Sequence, residues 1–242
     1  MKRTRIRWRI WHRRLAWLVG IQLLLWSISG AYMVWLELDY IRGASHTNAK
    51  GQQQLLLEQA PKTIASSAQV LEQYTDVTAL TLRRLPTEQW VYQVDRRYTT
   101  LLVDAVSLES FTLQQADIVA LANDYRTSQS SIDDAPAVRL LTEQLPQEVN
   151  FAALPLWQVT YSDLLNTTLY IDPASGVLVS TRHDFWRLFD FMWMLHIMDY
   201  DERADISTWW AQALMLLSLV FILTGVSLLL LQLRRLGRRF HA

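Results

Sequence analysis

The sequence predicts an α+β domain flanked by two membrane-spanning α-helices. Three observations carry this prediction. First, the 242 residues sum to zero net charge, but the charge is segregated. Seven basic and no acidic residues occupy the first 36 positions, and four basic and no acidic residues occupy the last nine, +11 together. The stretch between holds 12 basic against 23 acidic residues, or −11. Second, two charge-free apolar runs, Leu15–Leu36 and Ile206–Leu233, separate these zones. Third, the middle alternates helical patterns with short strand-like runs, about twice over. A composition 51% hydrophobic and 19% charged suits a folded module with attached spans, and 11 Trp suit a chain that meets a lipid interface repeatedly.

Residues 1–14 form a basic tail and residues 15–38 the first span. Its 22-residue charge-free body reaches about 33 Å at ~1.5 Å per residue, enough for a ~30 Å hydrocarbon core. The run is too long for the ~7–15-residue apolar core of a cleaved signal peptide, so it is expected to remain as an anchor. Residues 39–61 read as a polar linker that turns helical near Leu55–Glu58. A first unit, 62–113, opens on a helix over Lys62–Tyr74 with Ile64, Val70, Leu71 and Tyr74 on one face. Strands follow at Val77–Leu85, Trp90–Val94 and Tyr98–Val103, with turns at Pro86-Thr87-Glu88 and Asp95-Arg96-Arg97. A second unit, 114–181, repeats the order. Gln114–Tyr125 is helical, with Ile118, Leu121 and Tyr125 aligned, and Ser128–Asp134 is a loop. Val138–Leu145 fits helix or strand. Trp157–Tyr161 and Thr167–Ile171 are strands, and Asp172-Pro173-Ala174-Ser175-Gly176 is a turn into Val177–Val179. Thr99 and Thr167 are 68 residues apart, as are Asp104 and Asp172, which argues for a duplicated helix-plus-meander unit. Residues 182–205 are expected as an amphipathic interfacial helix and turn, 206–233 as the second span, and 234–242 as a second basic tail.

The positive-inside rule puts both tails in the cytoplasm and about Asp39–Asp205 outside. Two spans carrying an outside domain suit a bacterial inner membrane, with the domain in the periplasm. The basic residues abut the spans, so topology and anionic lipid explain them and nucleic acid is not an expected partner.

The absence of cysteine excludes disulfides, CxxC redox motifs, thiolate zinc sites, Cys-ligated iron–sulfur clusters and CxxCH haem attachment. HExxH, GxSxG, P-loop and dinucleotide-binding glycine patterns are also missing. Of the five histidines, His46 lies in the linker, His241 in the tail, and His183 follows Arg182 at a strand exit, where a surface position is expected. His12 sits at the basic mouth of the first span. His196 lies in the aromatic segment Phe185–Tyr200, where Phe185, Phe189, Met192, Trp193, His196 and Tyr200 share one helical face. Asp199, three residues on, is placed to accept the second ring N–H of His196, as metal-bound histidines commonly require. A histidine at a membrane interface is more often a hydrogen-bonded or snorkelling group than a ligand.

Four segments bear a family resemblance. Leu169–Ser180 (LYIDPASGVLVS) resembles the closing hairpin of a PepSY domain, with its Asp172-Pro173 and Gly176. Leu101–Ser110 (LLVDAVSLES) resembles a degraded copy that keeps Asp104 but lacks the Pro and Gly. Trp11–Met33 resembles the first helix of PepSY-associated transmembrane proteins, and Arg182–Asp201 their segment before the last helix. This resemblance implies two PepSY-like units outside the membrane, acting as a binding or regulatory module rather than an enzyme. Larger four-helix relatives include siderophore-iron reductases that hold b-type haems between helices. They imply an alternative, transmembrane electron transfer with haem b held by His12 and His196. These two lie about 30 Å apart, at opposite faces, so one chain cannot put both on one iron. A homodimer, or a pairing with another envelope membrane protein, would supply the second ligands. Gly20, Ser27, Gly30, Ala31, Ser218, Thr224 and Gly225 would let the helices approach closely.

Overall fold

The computed structural model describes residues 2–43, 47, 63–126 and 135–240. His46, His241, the expected loop Ser128–Asp134 and most of the expected linker 39–61 lie outside these. The chain divides into two compact units, Leu38–Arg187 and a second made of residues 1–37 and 188–242.

The second of these is helical. Helix α1 (Lys2–Trp35) starts well before Leu15, because nothing in the Arg-rich stretch breaks a helix and arginine favours one. After a single turn, α2 (Leu38–Ile41), the sheet unit follows. Helix α6 (Trp209–Phe240) closes the chain. The most apolar 18-residue windows of Trp8–Trp35 and Trp209–Arg234 have mean hydropathies of 1.5 and 2.7, and both helices are long and apolar enough to cross a membrane. Only 11% and 6% of their most apolar windows are buried, so neither packs as the core helix of a soluble protein would.

In the sheet unit, α3 (Ser67–Gln73) precedes β1 (Val77–Arg84), β2 (Trp90–Arg96), β3 (Thr100–Asp104) and β4 (Ser110–Phe111). Helix α4 (Gln115–Tyr125) precedes β5 (Ala137–Leu141), β6 (Leu156–Thr160), β7 (Thr168–Ile171) and β8 (Leu178–Arg182). Each set of strands is a four-stranded antiparallel meander in sequence order. The ambiguous Val138–Leu145 is therefore a strand followed by turn. Helix α3 is shorter than its apolar pattern because Ser66 caps it: Gln69 N–H donates to Ser66 Oγ (3.4 Å) and Ser66 N–H to Gln69 Oε1 (2.8 Å). That start turns Val70 inward and leaves Leu71 exposed.

Alternation along the strands builds three apolar layers. Trp90, Tyr92, Val94 and Val103 pack with Val70 of α3 on one face of the first sheet. Val91 and Leu102, on its other face, pack with Ile118, Leu121, Ala122 and Tyr125 of α4, which also meet Val159, Leu169 and Ile171 of the second sheet. Helix α4 is thus shared by both sheets. The outer face of the second sheet is covered by Leu141, Val149, Leu156 and Tyr170, with Val149 from the segment between β5 and β6.

The two predicted hairpin turns adopt one conformation. In the second, Asp172 accepts from Ser175 N–H (3.0 Å), Gly176 N–H donates to Asp172 O (2.7 Å), and Gly176 has φ +68°. In the first, Asp104 accepts from Val106 and Ser107 N–H (2.9 and 2.8 Å), Leu108 N–H donates to Asp104 O (3.0 Å), and Leu108 has φ 61°. Leucine here holds a left-handed position that glycine takes more easily. Burial raises the Asp104 carboxyl, but hydrogen bonds from Gln89 and the backbone of Ser107 and Val106 outweigh it and hold it below the usual range. The second turn also docks the halves of the unit: Tyr125 OH donates to Gly176 O (2.9 Å), and the buried Arg83 guanidinium donates to Ser175 O.

Candidate functional site

In the sheet unit the buried polar groups hold structure. Glu148 accepts from Tyr170 OH (2.7 Å) and Arg187 Nε (2.9 Å), and its carbonyl from Arg182 Nε (2.8 Å). Arg187 also donates to Asp184 (3.0 Å) and Thr168 (3.2 Å). Arg126 lies over the Tyr161 ring at 4.0 Å, and burial pushes the Tyr161 phenol up to about 12. His183, expected at the surface, is fully buried. It precedes α5 (Asp184–Ile197), where its Nε2 lies 3.1 Å from Tyr40 O and Trp186 N–H approaches its Nδ1 at 3.4 Å. With both ring nitrogens on backbone, it acts as a neutral connector.

The sheet edges differ in protection. The outer edge of β4 is two residues long. The segment at Gly43 lies against Thr181 of β8, whose side chain is 2.8 Å from where a Gly43 Cβ would stand. Strand β1 carries an irregularity between Val77 and Ala79 and ends in Arg83-Arg84. Bulges and charge are the usual guards of an open edge. Strand β5 pairs with β6 in continuous register from Ala137 to Leu141, contains one charge, Arg139, and exposes Leu140. Among the described residues no strand pairs with its outer side.

The helical unit places the two singled-out histidines in matching surroundings. Among the less exposed positions of α1, 12, 15, 19, 22, 26, 29 and 33 follow three-four spacing, the signature of a helix seam, with 16, 25 and 30–32 half-buried beside them. At one end His12 Nδ1 lies 2.9 Å from Thr224 Oγ1, its ring stacks on Phe221 at 4.6 Å, and its Cε1 is 3.0 Å from where a Gly225 Cβ would stand. At the other end His196 Nδ1 lies 2.9 Å from Ser29 Oγ, and its Cε1 is 3.5 Å from where a Gly30 Cβ would stand. Each histidine therefore meets a hydroxyl-glycine pair on a helix. Both hydroxyls lie 2.8 Å from a carbonyl of their own helix, Ser29 Oγ from Leu25 O and Thr224 Oγ1 from Phe221 O, and can donate to it. In the tautomer whose Nδ1–H donates to the hydroxyl oxygen, the lone pair of the ring is on Nε2. That is the tautomer an Nε2 metal ligand needs.

Ser29 and His12 lie 17 residues apart on α1, about 25 Å, so the two histidines stay far apart, as expected. The expected role of Asp199 is corrected. Helix α5 ends at Ile197 with Met198 at φ 58°, which takes Asp199 off the helical spacing. Its carboxylate instead accepts from Ala204 and Asp205 N–H, both 3.0 Å, and from Asp201 N–H, 3.3 Å. These bonds, that from Asp205 foremost, lower its pKa. Tyr200 likewise leaves the shared helical face. Gly30 and Gly225, expected to admit a neighbouring helix, receive the histidine rings of the same chain. Of the hydroxyl partners, Thr224 was legible only as a small residue and Ser29 was not singled out, because nothing local pairs positions 167 and 212 residues apart. Among the described residues no group of three or more His, Asp or Glu converges as a metal site. Asp104, Asp172, Pro173 and Gly176 lie in the two hairpin turns. Compared with family models, curated proteins and solved structures, the chain matches none.

Proposed function

We propose that the chain is a two-pass, PepSY-like protein of a bacterial inner membrane, with both termini in the cytoplasm. Its periplasmic α+β domain binds an extended segment of an envelope partner and serves a regulatory role. The observation that carries this reading is the outer edge of β5, in continuous register and covered by no strand among the described residues. An added strand there would gain backbone hydrogen bonds and meet Leu140 with its alternate side chains. The engaged state of the buried acids, Arg187 and His183 supports a binding rather than a catalytic role. Replacing Leu140 with lysine should leave the fold intact, because the side chain is exposed, and should abolish co-purification of the partner with the full-length chain. Undiminished co-purification, or turnover of a substrate by the purified chain, would count against the reading.

The matched surroundings of His12 and His196, each against a hydroxyl-glycine pair, favour a second reading, haem b held by two chains. His12 of each copy would ligate at the basic end of the spans and His196 of each at the other, through Nε2. Haem bound so would supply one-electron transfer across the membrane, and Ser29 and Thr224 would orient the rings. A dithionite-reduced spectrum of detergent-purified protein should then show a b-type α-band, absent in the double variant His12→Ala/His196→Ala. Ser29→Ala should weaken haem retention by about 10–100-fold. A colourless protein from haem-replete cells would remove this second reading and leave the first intact.

A further inference from the structure

On the side of α1 opposite its seam, Gly20 has nothing within 4 Å of where a Cβ would stand. Around it Arg13, Ala16, Trp17, Ile21 and Leu24 line a groove of about 380 Å³. Trp17, Ile21 and Leu24 are exposed by 75%, 57% and 60%. Arg13 stands at its mouth, and Arg9 lies one turn earlier on the same face. No acidic residue precedes Glu37, and neither arginine has an ion pair among the described residues. From Arg13 to Leu24 is about 16 Å along the helix, close to the ~15 Å depth of one leaflet.

We infer that this groove binds one anionic phospholipid, with its headgroup against Arg13 and an acyl chain laid over Gly20 between Trp17, Ile21 and Leu24. Charge selects this occupant. A parallel second copy docked on the same face would bring Arg13 against Arg13 with no acid between them, whereas an anionic headgroup neutralises the site. The missing side chain at Gly20 makes the depth that an acyl chain fills, and Trp17 walls it at the level where aromatic residues favour the interface. The inference rests on α1 being a span and on neither functional reading above.

Native mass spectrometry of the full-length chain in detergent, with phosphatidylglycerol or phosphatidylcholine of identical acyl chains added, tests this. The chain should carry one phosphatidylglycerol about fivefold or more tighter than phosphatidylcholine, the preference expected of one cation at an anionic headgroup. Arg13→Gln should abolish the preference and Arg13→Lys should retain most of it. Gly20→Leu should abolish the bound lipid of either kind, while far-ultraviolet circular dichroism stays unchanged, since the new side chain enters open space and leucine favours a helix. Equal binding of both lipids, or lipid binding unaffected by both Arg13→Gln and Gly20→Leu, would overturn the inference. So would a chain dimer that Gly20→Leu dissociates, which would assign the groove to a second copy.

Discussion

Gly176→Ala is expected to destabilise the sheet unit by roughly 2–4 kcal/mol, the sum of a left-handed alanine and a steric overlap in a packed layer. The residue has φ +68°, and an added Cβ would lie 2.9 Å from both Leu113 Cδ1 and Leu121 Cδ1. Neither leucine can retreat freely, since both sit in the layer that α4 shares with the two sheets. The same shift would move Gly176 O from Tyr125 OH and Ser175 O from Arg83, whose guanidinium is already penalised by burial. Urea unfolding followed by circular dichroism measures the loss. Ala174→Gly in the same turn, away from this contact, should cost far less.

Glu148→Ala is expected to cost about 2–3 kcal/mol, below the full penalty for a buried pair because Arg187 is about a third exposed. Removing the carboxylate takes the acceptor from the proton of the buried Tyr170 hydroxyl, to which Gln158 Nε2 still donates (3.1 Å), and takes away the largest partner of Arg187. Burial alone would lower the Arg187 pKa, and Glu148 and Asp184 reverse that. In a double-mutant cycle with Arg187→Met, the second substitution should cost much less once the first is present. Additive losses would show that the pair is not coupled.

The sequence disclosed those parts of the fold whose cause is local. Charge segregation and two apolar runs placed α1 and α6, and Asp172-Pro173 with Gly176 announced a turn whose dihedrals those residues preset. The capping box Ser66-x-x-Gln69 was equally readable and would have shortened the first helix of the sheet unit. Asp104 marked the kinship of the first turn, but Leu108 hid that it stands in the place of Gly176, because a leucine gives no sign of a left-handed backbone. His183 read as surface because it follows Arg182 at a strand exit, whereas its burial depends on Tyr40, 143 residues away. Asp199 misled for a different reason. Its spacing from His196 was measured as if the helix continued, and the helix stops at Ile197. The sharing of α4 between two sheets, and the contrast between an irregular β1 and a β5 in continuous register that no described strand covers, arise only once the eight described strands are paired.

A photoreactive residue at position 140, installed in the full-length chain in its native membrane, tests the central proposal most directly. With Thr81 of the guarded β1 edge as the comparison, position 140 should crosslink to one discrete envelope polypeptide through an extended segment, and position 81 should not. No crosslink at 140, or equal crosslinking at 81, would contradict partner binding at this edge.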